Sequence, residues 1–282
     1  MRSVVQDFDL RVPSGRLRAR RHGDERAPLV LALPGLTANL ACFDYLGERL
    51  GGSDLQLVAL DLRGRGLSDA GPPGSYGWPA HAADVFAVAD GLGAGRFAVI
   101  GWSMGGIVAM AMASQDSSRL ERVALIDVAT TAEPDWAPLI KMSVDRLAAI
   151  VPSRQAYLDA VKGLGLIDPW SEYWDRYFEY ELEDVEGGVR VRTRRQAALE
   201  DFEYGFDHDC AEWWPRLTMP VLLLRATRPL LPGSGCFIVK EHQRDAFARA
   251  VPQARVVEVD ANHYTIAMQD TAVRALKDFL SR

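Results

Sequence analysis

The 282-residue sequence is poor in cysteine, and its three cysteines, Cys42, Cys210 and Cys236, stand far apart. That excludes a disulfide framework and any C-x-x-C motif, and it fits a reducing compartment. Long apolar runs are missing too: no stretch approaches the about 20 residues of a membrane span. Met1–Leu10 lacks the apolar centre of a secretory leader. Positive charge is in deficit, with a formal net charge of −6, which argues against nucleic acid or an anionic membrane as partner. The expectation is a cytoplasmic protein acting on a small-molecule substrate, with a homodimer left open. Repeats and low-complexity segments are absent as well, so the chain reads as one α/β core plus any insertion.

What is present is an alternation of buried strands and helices. Asp7–Val12 and Leu17–Arg21 flank the hairpin signal Pro13-Ser14-Gly15. Pro28–Leu33, Leu55–Leu60, Phe97–Ile100, Val123–Asp127 and Val221–Arg225 are continuous apolar runs, the mark of strands covered on both faces. Arg255–Val259 adds another strand. Helical spacing recurs over Pro79–Leu92, after Ser103, over Glu241–Val251 and over Thr271–Leu280. The pattern predicts a mainly parallel sheet with helices on both faces. From residue 131 to 206 it turns helical and aromatic, interrupted by a hairpin signal at Glu186–Arg192. Hence the expected division is a core of residues 1–130 and 207–282 with a helical cap, 131–206, over the sheet edge.

The chemistry centres on Gly101-Trp102-Ser103-Met104-Gly105, set between a strand and a helix. So tight a corner leaves no space for side chains two residues either side of its apex, hence the two glycines. Ser103 then projects from the strand end, and the Met104 N–H can receive a developing oxyanion. A serine hydroxyl needs a base. Of five histidines, His263 has the right setting, one short loop after strand Arg255–Val259. His22, His81, His208 and His242 read as surface or packing residues, and Asp207-His208-Asp209 as a solvated loop, since ligands so close in sequence converge poorly on one metal. Neither a metal nor an organic cofactor is called for.

This pattern resembles the α/β-hydrolase fold family over nearly the whole chain. The resemblance rests on Pro34-Gly35-Leu36, Asp61–Asp69, the Ser103 elbow and Ala261-Asn262-His263. It implies an eight-stranded, mostly parallel sheet and an inserted lid. It also implies an oxyanion hole formed by the N–H groups of Leu36 and Met104. The family more often has His-Gly where this chain has Pro34-Gly35, a change that leaves a backbone donor intact. Most of the family places the triad acid after the strand here read as Val221–Arg225, but Ala226–Lys240 contains no carboxylate. A minority place it after the strand following the nucleophile, where this chain has Asp127; Glu241 and Asp260 are weaker candidates. Asp61 and Asp69 are assigned to loop architecture.

That placement is similar to hydrolases of (acetamidomethylene)succinate and of lactones. A dicarboxylate would require cations in the pocket, and Arg146, Arg176, Arg190, Arg192, Arg194 and Arg195 could supply them, although Arg190–Arg195 reads first as a solvated segment. Trp102, Trp136, Trp170, Trp174 and Tyr264 are the expected pocket walls, favouring an apolar or aromatic ester, lactone or amide. Carbon–carbon bond hydrolysis of ring-fission products and low-turnover ligand reception are the alternatives on the same fold.

Overall fold

A computed structural model describes residues 5–131, 136–231 and 233–281. Its central sheet has eight strands: β1 (Val5–Val12), β2 (Gly15–His22), β3 (Leu29–Leu33), β4 (Gln56–Leu60), β5 (Phe97–Trp102), β6 (Leu120–Ile126), β9 (Val221–Ala226) and β10 (Ala254–Val259). A separate hairpin, β7 (Leu182–Val185) and β8 (Gly188–Val191), lies in the insertion between β6 and β9.

Strand order is β1-β2-β4-β3-β5-β6-β9-β10, antiparallel at β1–β2 and β2–β4 and parallel from β4 onward. The apolar runs explain this arrangement. Every residue of β3, β4, β5 and β9 is buried, so these strands need a covering layer on each face. On one face pack α2 (Trp78–Gly91), α3 (Met104–Asp116) and α8 (Glu241–Ala250). On the other pack α1 (Asp44–Leu50) and α9 (Asp270–Leu280). By contrast β1 sits at an edge and is largely exposed, and arginine–aspartate pairs line its seam with β2.

Register decides where the chemistry falls. Leu33 of β3 pairs with Gly101 of β5, Trp102 with Ile126 of β6, Ile126 with Leu224 of β9, and Ala226 with Val259 of β10. The six parallel strands therefore end within a few residues of one level, and the loops after them share one sheet edge. The chain reverses direction across the sheet between β3 and β5, the place where open α/β sheets carry their ligands.

The insertion contributes α4 (Ala137–Asp145), α5 (Arg154–Gly163), α6 (Glu172–Glu181), the β7–β8 hairpin and α7 (Arg195–Asp207). Its aromatic residues pack in two places. Trp174, Tyr177 and Phe178 of α6 enter the core beneath the first loop after β3, whereas α7 lies across the loop after β4. Among the described residues no helix is long and apolar enough to cross a membrane.

Candidate active site

Ser103 occupies the corner between β5 and α3, with φ 55° and ψ −125°, a conformation that a non-glycine residue adopts only under constraint. The constraint comes from both sides. The Ser103 N–H donates to Ile126 O at 3.0 Å, and the Gly106 N–H donates to Ser103 O at 2.8 Å. A methyl group on Gly101 would lie 2.3 Å from Gly105 O, and one on Gly105 would lie 2.0 Å from Leu33 O. Strand and helix can approach this closely only where those side chains are missing. Met104 supplies the first N–H of α3, one of the amides no carbonyl within the helix can accept.

Asp127 follows β6 directly and also has positive φ, at 50°. Its N–H donates to Leu224 O at 2.7 Å, which continues the sheet ladder to this residue. Its Oδ1 accepts the Ala226 N–H at 2.9 Å, and its Oδ2 lies 2.8 Å from His263 Nδ1. A carboxylate can only accept, so the imidazole proton sits on Nδ1 and leaves Nε2 free to take a proton. The His263 carbonyl accepts the Trp102 indole N–H at 3.1 Å, tying His263 to the residue preceding Ser103. Asn262 shapes this loop: its Oδ1 accepts the N–H groups of Tyr264 and Thr265, and its amide donates to Leu166 O in the insertion.

The other acid candidates lie elsewhere. Asp260 is exposed and forms a bidentate pair with Arg228, and Glu241 is exposed at the start of α8.

A cavity of about 190 Å³ brings Ser103, His263, Leu36 and Met104 to one space. The loop carrying Leu36 passes close to the serine, since a methyl on Gly35 would stand 3.2 Å from Ser103 Cβ. Trp102, Trp136 and Tyr264 line the same cavity. The matching expectation for Trp170 and Trp174 is corrected. Trp170 stacks on Phe178 at 5.6 Å, and Trp174 stacks on Phe178 and meets Tyr177 edge to face, so both belong to the aromatic cluster of α6 and stay outside the lining. The walls missed by sequence reading are Trp78, Leu139, Ile140, Phe202 and Phe206. For the last two a signal existed, aromatic residues at i and i+4 on one face of α7.

The six candidate arginines are committed elsewhere. Arg146 pairs with buried Glu181, Arg176 with Glu48, and Arg195 with Asp145, while Arg190, Arg192 and Arg194 share Glu183. None lines the cavity. The loop assignments of Asp61 and Asp69 agree with their contacts: Asp61 accepts the N–H groups of Leu40 and Leu67, and Asp69 that of Arg16.

The α/β-hydrolase fold model matches residues 28–267. The chain belongs to the α/β-hydrolase fold family. A serine hydrolase-like protein of Danio rerio is 28% identical over 296 aligned residues, covering 99% of this chain and 90% of that one. The 2-(acetamidomethylene)succinate hydrolase of Mesorhizobium japonicum is 26% identical, covering 96% and 94%. A crystal structure of E-2-(acetamidomethylene)succinate hydrolase superposes with a TM-score of 0.88 at 23% identity, covering 99% of this chain and 100% of that one. At that identity the superposition speaks for the α/β-hydrolase fold, and the chemistry has to be read from this chain's own residues.

Proposed function

We propose that this α/β-hydrolase cleaves a carboxylic ester, lactone or amide of a small, uncharged, apolar molecule through a Ser103 acyl-enzyme. The observation carrying this reading is the 2.8 Å contact of His263 Nδ1 with Asp127, opening on the cavity that holds Ser103. His263 Nε2 takes the Ser103 proton as Oγ attacks the carbonyl carbon. The tetrahedral oxyanion is received by the N–H groups of Leu36 and Met104. Collapse expels the alcohol or amine, protonated by His263, and the same base then activates water to release the acid. Asp127 holds the imidazole and stabilises the imidazolium. Residues 131–206 act as a lid, with α4 and α7 forming the wall opposite the serine.

Substrate class follows from the lining. Tryptophan, phenylalanine, leucine and isoleucine dominate it, and among the described residues its ionisable groups besides His263 are the Tyr264 phenol and Asp201, the latter already engaged by Arg65 and His81. A dicarboxylate such as the one named for the Mesorhizobium enzyme would find no Lys or Arg among the described lining residues, and burying an unpaired carboxylate is costly.

Ser103→Ala tests the nucleophile. Fluorophosphonate labelling should vanish, and hydrolysis of p-nitrophenyl butyrate should fall by about 10⁴-fold or more. Labelling that persists on the variant overturns the assignment. Wild-type protein should also prefer the neutral butyrate to the p-nitrophenyl hemisuccinate anion by about 100-fold in kcat/KM.

A further inference from the structure

Arg65 is wholly buried, in the loop after β4, and each of its bonds has a recognisable role. Its Nε and Nη2 both donate to the Leu36 carbonyl at 3.1 Å, and Nη1 donates to Arg63 O at 3.0 Å. Nη2 also meets Asp201 Oδ2 at 2.6 Å. Asp201 belongs to α7, borders the cavity, and is held further by His81 Nε2 at 2.8 Å and the Gly77 N–H at 2.7 Å. One guanidinium therefore joins the peptide after Leu36 to the helix forming the opposite wall.

The Leu36 segment has little else to keep it in place. The peptide bearing the Leu36 N–H is restrained through its carbonyl, Gly35 O, which accepts the Ala38 N–H at 3.2 Å. The next peptide points its carbonyl at Arg65. Rotation of the first peptide would swing the Leu36 N–H away from the serine, and fixing the second peptide anchors the far side of the Leu36 Cα about which that rotation must occur. Oxyanion donors act only when aimed beforehand. Two further contacts bring the insertion to the same loops: Arg194 N–H to Gly64 O at 2.8 Å, and the Thr193 hydroxyl to Thr37 O at 3.4 Å.

We propose that Arg65, anchored by Asp201, is the positioning residue for the Leu36 oxyanion donor, so that the donor is aligned only while α7 is docked. This rests on the hydrolase reading above. It makes the lid more than a wall: displacement of α7 releases Asp201, and with it the guanidinium that fixes the Leu36 peptide.

The test uses Arg65→Lys, which keeps charge but cannot bond the carbonyl through a planar fork, and Asp201→Asn, which keeps shape but loses charge. Active sites are first titrated with a fluorophosphonate, so any misfolded fraction drops out of the comparison. In both variants kcat per titrated site for p-nitrophenyl butyrate should fall about 30-fold, with KM within about threefold of wild type. The Ki of a trifluoromethyl ketone, whose adduct puts an oxyanion in the hole, should rise by the same factor as kcat falls. Either variant with kcat per site and ketone Ki within threefold of wild type overturns the proposal. So does a loss of kcat that leaves the ketone Ki unchanged. Wild-type protein that no phosphonate titrates would instead bring down the hydrolase reading itself.

Discussion

Two buried aspartate–histidine pairs, each with a 2.8 Å contact, lie within this molecule and serve different ends. Asp127–His263 spans two strand ends at the sheet edge. Asp201–His81 joins α7 of the insertion to α2 of the core. In the first, the aspartate's partners are a backbone N–H and the imidazole, with no Lys or Arg on the carboxylate among the described residues, and the histidine borders the cavity with Ser103. In the second, Arg65 already neutralises the aspartate, and His81 is fully buried, its Nδ1 without a hydrogen-bond partner among the described residues. In the proposed reaction the same two side chains at the same distance thus make a base in one setting, and elsewhere a rivet. What separates them is access: His263 borders the cavity that holds Ser103, whereas His81 is sealed in the interior.

The sharpest way to break that contrast is to remove each histidine in turn. His263→Ala should lower kcat by about 10⁴-fold or more while leaving the denaturant midpoint close to wild type. His81→Ala should keep kcat within about tenfold yet lose about 1–3 kcal/mol of stability, because buried Asp201 loses the hydrogen bond from His81. Similar activity losses in both variants would show that the pairs are not functionally distinct.

Next come the acids. Asp127→Asn should cost about 10³–10⁴ in kcat, since an amide no longer favours the Nδ1–H tautomer, while stability changes little. Asp201→Asn leaves buried Arg65 without its counter-charge and should lose about 3 kcal/mol in equilibrium unfolding. That loss depends on pH. Burial opposes ionisation of Asp201, but His81 and Arg65 outweigh it and hold the carboxyl below its ordinary value. Its stabilisation is therefore complete above about pH 4 and fades as pH falls further.

Asp61 offers the opposite sign and a smaller effect. Burial raises its pKa to about 6, against the bonds it accepts from Tyr180, Leu40 and Leu67. A raised carboxyl stabilises the fold in its protonated form, so this contribution is present below about pH 4 and is lost as pH rises through 6. The stability deficit of Asp61→Asn relative to wild type should accordingly narrow between pH 4 and pH 7, by up to about 2 kcal/mol.

The contrast also marks how far the sequence could be read. Each apolar run announced a strand, and the residue just beyond it, Ser103 or Asp127, was placed by its distance from that run. Even which carboxylate stands beside His263 was legible, because Ala226–Lys240 has none to offer. The Arg65–Asp201–His81 cluster was not, since Asp201 lies 120 positions from His81 and still further from Arg65, and meets them only when α7 crosses the loop after β4. Nor could composition divide the tryptophans of the insertion. Trp136 faces the cavity while Trp170 and Trp174 pack on Phe178, a split set by helix orientation.

Ser103 and Asp127, at the ends of adjacent strands, both hold backbone conformations that L-residues resist, at an intrinsic cost of about 1–3 kcal/mol each. The residues that would perform the reaction are therefore defects from the viewpoint of folding, and selection for stability alone would erase them. Ser103→Gly should be inert as a hydrolase yet melt later than wild type, by an amount equivalent to about 1 kcal/mol. Such a form would keep the cavity and its walls while lacking the attacking oxygen, a natural vessel in which to catch the substrate intact.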